Sequence, residues 1–462
     1  MNLLKTLAIT AILIISCNYL SAQNDKAEGH ENKWYIKETF VLNDTQSLGI
    51  FEHKALETGI LLVNKTGTVE WELPIKGCVM AISKYKDNFL VFYREKGYWS
   101  KYTGSSKIQK INAATLDIKS QKIIDNKVIY NGNKYVVPDF QKDPAGYFSQ
   151  LLIRTTTEYE PEETKGITLI TFNADGSAAS KEITSIANAG KFIGSSSGKD
   201  GSIFISSIQN GSSIAVEKFS HEGVLVSKQE SPLNIRKKSD YKAIMRTDTC
   251  VNNNAVLVNL MVVNQEKDKA FSYFRFNFDN NQIAVSNEVP LDKNSPYKYI
   301  RNHDELKPAD ILYNNDFVIM VRMVRFTEDL TRQGGRSDIR NHGDAMIVSV
   351  FDRQMKLLRE IVMQKASEST YPMDVELTAH LKKDRLYILT GHTGSGRNLW
   401  NHLYNVNLND GKYENKQVGI PESGSTMWID GTFWFANEFL ISHLHGRFSK
   451  NTVLDRVGYD VF

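Results

Sequence analysis

The chain has 462 residues, of which 41% are apolar and 24% are charged. This composition is typical of an ordered protein and argues against a disordered or membrane-embedded chain. The formal net charge of +3 is too small to indicate nucleic acid as a partner. Beyond the N-terminal segment there is no run of about 18 uncharged apolar residues, so no transmembrane span is predicted there.

Residues 1–22 are predicted to be a signal peptide. Lys5 supplies a short positively charged region, and the apolar run that follows it, Leu7–Ile15, is too short to span a bilayer. Leu20-Ser-Ala22 resembles a signal peptidase site, so cleavage after Ala22 is the first expectation. The segment therefore predicts that the protein is exported.

Two forms of the mature N-terminus stay open. In the first, cleavage leaves residues 23–32 as a short polar linker in front of the folded domain. In the second, Ile14-Ile-Ser-Cys17 acts as a lipobox, and Cys17 is acylated and anchors the protein to a membrane. Both forms place the protein in the periplasm, at the outer membrane or outside the cell, and both are consistent with a folded domain over residues 33–462.

Cys78 and Cys250 are the cysteines that remain after the signal peptide. An exported protein that depends on disulfide bonds carries more cysteines than this. Both lie in apolar, strand-like runs, so we expect them to be buried as small hydrophobic residues rather than bonded to each other.

From Trp34 onward the sequence alternates strand-like runs with turns rich in Gly, Asn and Asp, which indicates antiparallel hairpins. Seven hairpins and one final strand begin at Ile60, Ile108, Ile167, Ile214, Phe271, Met346, Tyr404 and Val453. A pair of more apolar strands precedes each hairpin, as in Val256–Val263 and Phe317–Met323. A four-stranded unit that recurs about every 50 residues predicts an all-β fold, a β-propeller.

We count eight such units, although the first, Gln46–Ile75, is short and the last lacks a fourth strand. The isolated strand Trp34–Leu42 has the composition of the missing piece. We therefore expect it to pair with the last unit and close the ring, which would remove two exposed sheet edges. If the short first unit merges with its neighbour, the count falls to seven blades, and two stacked β-sandwiches are the alternative fold.

On these repeats and this closure, the mature chain resembles the broad class of bacterial exported β-propellers. The resemblance covers nearly all of the mature sequence at the level of architecture. The sequence contains no Trp-Asp dipeptide repeat, no kelch double-glycine series and no pyrroloquinoline-type blade motif, so no functional residues can be transferred. Because β-propellers host both enzymes and binding modules, the resemblance implies a fold and leaves the activity open.

Basic and aromatic residues concentrate in the long loops that join the second and third strands of units six to eight. The candidate ligand-binding residues are Arg332, Arg336, Arg340, His342, His392, Arg397, Trp400, His445 and Arg447. Arginine binds carboxylate, sulfate or phosphate groups through paired hydrogen bonds, and aromatic faces suit sugar rings or peptide side chains. Long loops on a rigid scaffold are frequently functional. The alternative is a set of solvated loops whose glycines serve turn geometry.

Signatures of catalysis, nucleotide binding and metal binding are weak. Gly391–Gly396 is rich in glycine but lacks the Lys-Ser/Thr pair and the helix of a phosphate loop, and there is no Gly-x-Ser-x-Gly motif. His443 and His445 alternate on one strand and could join His392 or His402 in a three-nitrogen metal site. No Cys pair or His-Glu-x-x-His motif accompanies them, so we expect no metal and no cofactor.

The sequence favours an exported binding module for a protein or glycan of the cell envelope, without catalytic activity and without nucleic acid as a partner. The alternative is a polysaccharide lyase or glycoside hydrolase. Such an enzyme would use His392, His443, Arg397 or a pair of carboxylates, and candidates for that pair are Asp374, Glu376, Asp430 and Glu438.

Overall fold

A computed structural model describes the chain between Tyr35 and Tyr459. The described residues are 35–54, 57–85, 87–95, 109–132, 134, 136–141, 149–157, 163–173, 177–233, 239–250, 254–264, 269–290, 305–329, 339–369, 377–393, 399–418, 426–444 and 452–459. In this part of the chain, no helix has the length and apolarity needed to cross a membrane.

Eight antiparallel sheets, called blades 1 to 8, follow one another along the sequence. Seven have four strands and the last has three described strands, each bonded to the next in chain order. Blades 1 to 4 comprise β1 Tyr35–Asn43, β2 Gln46–Lys54, β3 Glu57–Asn64, β4 Val69–Ile75; β5 Gly77–Tyr85, β6 Asn88–Glu95, β7 Gln109–Asp117, β8 Lys122–Gly132; β9 Val136–Gln141, β10 Ser149–Thr155, β11 Gly166–Phe172, β12 Ala178–Ile183; β13 Lys191–Ser197, β14 Ile203–Gln209, β15 Ser213–Phe219 and β16 Leu225–Pro232.

The second half of the chain repeats the pattern. Blades 5 to 8 comprise β17 Ser239–Asp248, β18 Ala255–Asn264, β19 Lys269–Asn277, β20 Gln282–Pro290; β21 Glu305–Tyr313, β22 Val318–Asp329, β23 Ile339–Phe351, β24 Leu357–Ser369; β25 Leu377–Lys382, β26 Arg385–Thr393, β27 Leu399–Asn407, β28 Tyr413–Val418; β29 Thr426–Trp434, β30 Glu438–Leu444 and β31 Thr452–Gly458. Among the described residues, one turn of 3₁₀ helix, Ile186–Asn188, is the only helix. The protein is an eight-bladed β-propeller, which confirms the predicted fold class.

The hairpin of β15 and β16 in blade 4 illustrates how the sequence forms these sheets. Gly223 adopts a φ of +72°, which side chains disfavour, and its N–H donates to the Ser220 carbonyl oxygen at 2.9 Å, closing the turn. Nearly all of β15 is buried, because its alternate side chains face blades 3 and 5. The outer strand β16 is largely exposed, with Leu225 and Val226 facing solvent. In blade 4, apolar side chains are therefore concentrated in the buried third strand and are fewer in the exposed fourth strand.

The chain divides into two compact units. One contains Met1–Pro74, Glu328–His342 and Ala366–Phe462. It therefore includes blades 7, 8 and 1, together with the end of β22, the start of β23 and the end of β24 in blade 6. The other contains Ile75–Thr327 and Gly343–Lys365, and therefore blades 2 to 5 with most of blade 6. In the second unit, an apolar cluster fills the space between each two successive blades from blade 2 to blade 6.

In the first unit, blade 8 packs against both blade 7 and blade 1. The cluster between blades 8 and 1 joins Phe433 and Leu440 to Phe51 and Leu61. The Phe433 ring packs closely on the backbone of Gly49, since a Cβ atom on Gly49 would lie 2.9 Å from that ring. The N-terminal and C-terminal sheets of the chain therefore meet through side-chain packing.

The predicted pairing of the N-terminal strand with the last blade was wrong. The strand exists as β1, but it pairs with β2 as the first strand of blade 1 instead of supplying the fourth strand of blade 8. A tight turn directs it there, because Asn43 Oδ1 accepts hydrogen bonds from the backbone N–H (2.9 Å) and hydroxyl (2.8 Å) of Thr45. A short turn costs little loop-closure entropy, and strand composition alone does not identify the partner.

The expectation of two buried cysteines was also wrong. Cys78 is half-buried in β5 and Cys250 is exposed, and both are free thiols. Cys250 follows β17, which ends at Asp248, so Thr249 and Cys250 do not continue the strand.

Candidate functional site

Blade 6 carries an extended arm at the position of the predicted arginine-rich loop. Its strands β22, β23 and β24 have 12, 13 and 13 residues, whereas all other described strands have between 6 and 11. Arg340 and His342, expected in a loop, lie in β23, so that part of the prediction was wrong. The polar run that they occupy has no apolar alternation, so the sequence pattern did not predict a strand there. Neighbouring strands satisfy its backbone groups all the same.

Blade 7 likewise carries its candidates on strands. His392 lies near the end of β26 and Trp400 near the start of β27, and the two occupy directly opposed positions of the hairpin. Thr390 and His402 form the pair two positions further in, where Thr390 is fully buried and His402 is half-buried. The pairing of β26 with β27 therefore extends into the predicted loop 392–401, as far as Thr393 and Leu399.

The remaining candidates lie outside the described residues: Arg332, Arg336, Arg397, His445 and Arg447. They stay predictions. The four candidates with a described backbone, Arg340, His342, His392 and Trp400, all belong to the unit that contains blades 7, 8 and 1.

The carboxylates considered for a glycosidase pair do not form one among the described residues. Asp374 and Glu376 lie outside the described part, and Asp430 lies in β29. Glu438 is buried and forms a hydrogen-bonded ion pair with Nε of Arg456 on the adjacent strand. This carboxylate therefore stabilises blade 8. Within the described residues, no three His, Cys, Asp or Glu side chains cluster as metal ligands.

Sequence reasoning missed a row of polar side chains on the first strands of blades 3 to 6, which contact one another in succession. Ser195 donates to Asp139 Oδ2 at 2.5 Å, linking blades 4 and 3. Ser196 and Thr247 link blades 4 and 5 through their hydroxyl groups. Asp139 and Ser195 are 56 residues apart, so only the repeat register could have predicted their contact. We call this row the inner-strand row.

The row ends at an ion pair between blades 5 and 6. Nη2 of Arg246 donates to Oδ1 of Asp310 at 3.2 Å, and 48% of the arginine side chain is exposed. Burial raises the pKa of the Asp310 carboxyl, while the charge of Arg246 acts in the opposite direction. The arrangement offers an accessible guanidinium beside a carboxyl group whose proton is held more tightly than usual.

Comparison with known proteins finds similarity only to solved structures of low sequence identity. No protein-family model matches the sequence, and no curated protein matches it. Among solved structures, the chain is similar to the WD40 domain of SCAP from fission yeast (8% identity, 95% of each chain covered, TM-score 0.44). It is also similar to the β-propeller domain of Nup133 from Vanderwaltozyma polyspora (9% identity, 86% of this chain and 100% of that one, TM-score 0.41) and to a PL25 ulvan lyase (8% identity, 94% and 96%, TM-score 0.44). At such low identity and TM-score, none of them informs the function.

Proposed function

We propose that this protein is an exported binding module that holds a protein or glycan of the cell envelope at the strand tips of blades 6 to 8. The arm of blade 6 carries this proposal. Its strand β23 has four residues more than β27 of blade 7, which at about 3.3 Å per residue lengthens it by about 13 Å. The first residues of β23 are mostly polar in sequence, and long hairpins and loops on a rigid scaffold frequently present a ligand surface.

The chemistry of the tip suits an anionic or carbohydrate ligand. The sequence between β22 and β23 contains Arg332-Gln-Gly-Gly-Arg336, and Arg340 follows in β23. Arginine binds carboxylate and sulfate groups with two parallel hydrogen bonds, and Trp400 on the neighbouring hairpin would supply an aromatic face. Export rests on the signal-like segment at residues 1–22.

The test compares two triple variants on a glycan and envelope-protein array. Arg336→Ala/Arg397→Ala/Trp400→Ala removes the proposed contacts and is expected to weaken binding at least tenfold. The matched control is Lys119→Ala/Lys356→Ala/Tyr413→Ala, which removes two cations and one exposed aromatic ring near the opposite ends of the strands. The control is expected to bind like wild type. Loss in the control and retention in the tip variant would move the site to the opposite ends.

A polysaccharide-active enzyme is the second candidate, and the Asp310–Arg246 pair favours it. A carboxyl group with a raised pKa beside an accessible cation is a recurring feature of acid–base sites. Release of reducing ends or of unsaturated products from a polysaccharide panel, lost in Asp310→Asn and kept in Asp316→Asn, would support this function. Absence of turnover across the panel, together with binding at the tips, would eliminate it.

A further inference from the structure

Two arginines converge on one buried aspartate between blades 5 and 6. Asp248 ends β17 and is fully buried, Arg275 lies in β19, and Arg353 lies in the turn between β23 and β24. Nη2 of Arg353 donates to Asp248 Oδ2, and Nη2 of Arg275 lies 3.5 Å from the same oxygen. The other oxygen, Oδ1, accepts the backbone N–H of Cys250 at 3.2 Å. We call these three side chains the Asp248 cluster.

Backbone carbonyls bind part of the two guanidinium groups. Nη1 of Arg353 donates to the carbonyl oxygens of Asn314 (2.8 Å) and Phe317 (3.3 Å), and Nη1 of Arg275 donates to the carbonyl oxygen of Arg353. The Nε atoms of both arginines are buried, and no described residue accepts a hydrogen bond from either. Each guanidinium therefore retains one buried Nε donor in addition to the Nη2 group that faces Asp248.

The cluster also carries more positive than negative charge. Two arginines share one carboxylate, and only 12% and 10% of their side chains are exposed. Burial lowers the pKa of Arg275, Arg353 lowers it further, and Asp248 raises it. Asp352 lies next to Arg353 in sequence, but its Oδ1 accepts the backbone N–H groups of Gln354 and Lys356. A buried charge without a counterion is expensive.

We propose that the Asp248 cluster binds one small monovalent anion, held by the Nε donors of Arg275 and Arg353. One bound negative charge balances the excess of one positive charge and satisfies both donors. Chloride and the carboxylate of a small organic acid share this chemistry. Because Arg353 belongs to blade 6 and Asp248 to blade 5, the anion would also strengthen the interface between these two blades.

The first experiment measures the thermal midpoint of the mature protein as chloride replaces gluconate at constant ionic strength. Gluconate, a much larger and more strongly hydrated anion than chloride, serves as the reference anion. A ligand that binds only the folded state raises the midpoint by mass action, so wild type is expected to gain about 2–3 °C at saturating chloride. Acetate is tested in the same way and separates a carboxylate site from a halide site.

Arg275→Gln removes the excess charge and is expected to abolish the chloride response. Arg385→Gln, which removes an exposed arginine of blade 7, is the matched control and is expected to keep it. If Arg275→Gln fails to fold, chlorine NMR of wild type decides, because a bound chloride broadens the line and competing bromide sharpens it. A wild-type midpoint that is the same in chloride, acetate and gluconate, together with an unbroadened line, would overturn the proposal and assign the two donors to water.

Discussion

Acidification is expected to destabilise blades 7 and 8 through His380. The imidazole ring of this β25 residue stacks on Trp434 at 5.3 Å and on Tyr459 at 6.0 Å, with interplanar angles of 10° and 2°. Burial among these rings, and secondarily the charge of Lys382, lowers the histidine pKa from its usual 6.5 to about 4. The folded protein therefore holds His380 neutral over a pH range in which the unfolded chain protonates it.

The sign and size follow from proton linkage. Above pH 6.5 both states carry a neutral imidazole, and the stacking contributes in full. As the pH falls from 6.5 towards 4, the unfolded state takes up a proton that the folded state refuses. A lowering of the pKa from 6.5 to about 4 corresponds to about 3 kcal/mol of unfolding free energy lost over that range.

Urea unfolding of wild type and of His380→Phe, at pH 7.5 and at pH 4, measures this loss. Phenylalanine keeps an aromatic ring beside Trp434 and Tyr459 but cannot take up a proton, so the variant is expected to lose about 3 kcal/mol less than wild type on acidification. His221→Gln, in the turn of blade 4, controls for removal of a histidine elsewhere. Parallel losses in wild type and His380→Phe would refute the assignment of a neutral His380.

Three further predictions concern stability and are measured by urea unfolding at neutral pH. Glu217→Gln is expected to cost about 1–3 kcal/mol, because this buried carboxylate accepts the backbone N–H that begins the 3₁₀ helix; an unchanged midpoint would contradict that anchoring role. Glu360→Ala is expected to lower the unfolding free energy by about 3–5 kcal/mol, because it leaves the charge of Arg322, which is 1% exposed and bonds to Glu360 at 3.0 Å, without its partner. Arg322→Met/Glu360→Leu is expected to lower it by less, because no buried charge remains unpaired. If the double variant is the less stable of the two, the charge argument fails. Gly49→Ala is expected to cost about 1–3 kcal/mol through its clash with Phe433 and to be partly rescued by Phe433→Leu, and failure of rescue would place the strain elsewhere.

The sequence by itself determined the repeating sheets, because the hairpins are local. In β15 and β16, alternating side chains and the turn at Gly223 lie within a span of about 20 residues. Such a span specifies its own register through the turn and the buried faces. Eight units could therefore be counted without any knowledge of how the sheets pack. The sequence pattern did not predict the extra length of the strands in blade 6, because their polar residues do not alternate with apolar ones.

Only the tertiary structure decided which strands and side chains meet. β1 was assigned to the wrong blade because the pattern of a strand does not identify the strand with which it pairs. The turn at Asn43 directs β1 to pair with β2. The Asp248 cluster joins residues 105 positions apart. The inner-strand row joins blades that are separate repeats in the sequence. These contacts depend on the angle and spacing between sheets, which arise from packing many apolar side chains at once. Polar residues that look like ordinary loop or strand positions in sequence therefore become buried ion pairs only when neighbouring blades enclose them.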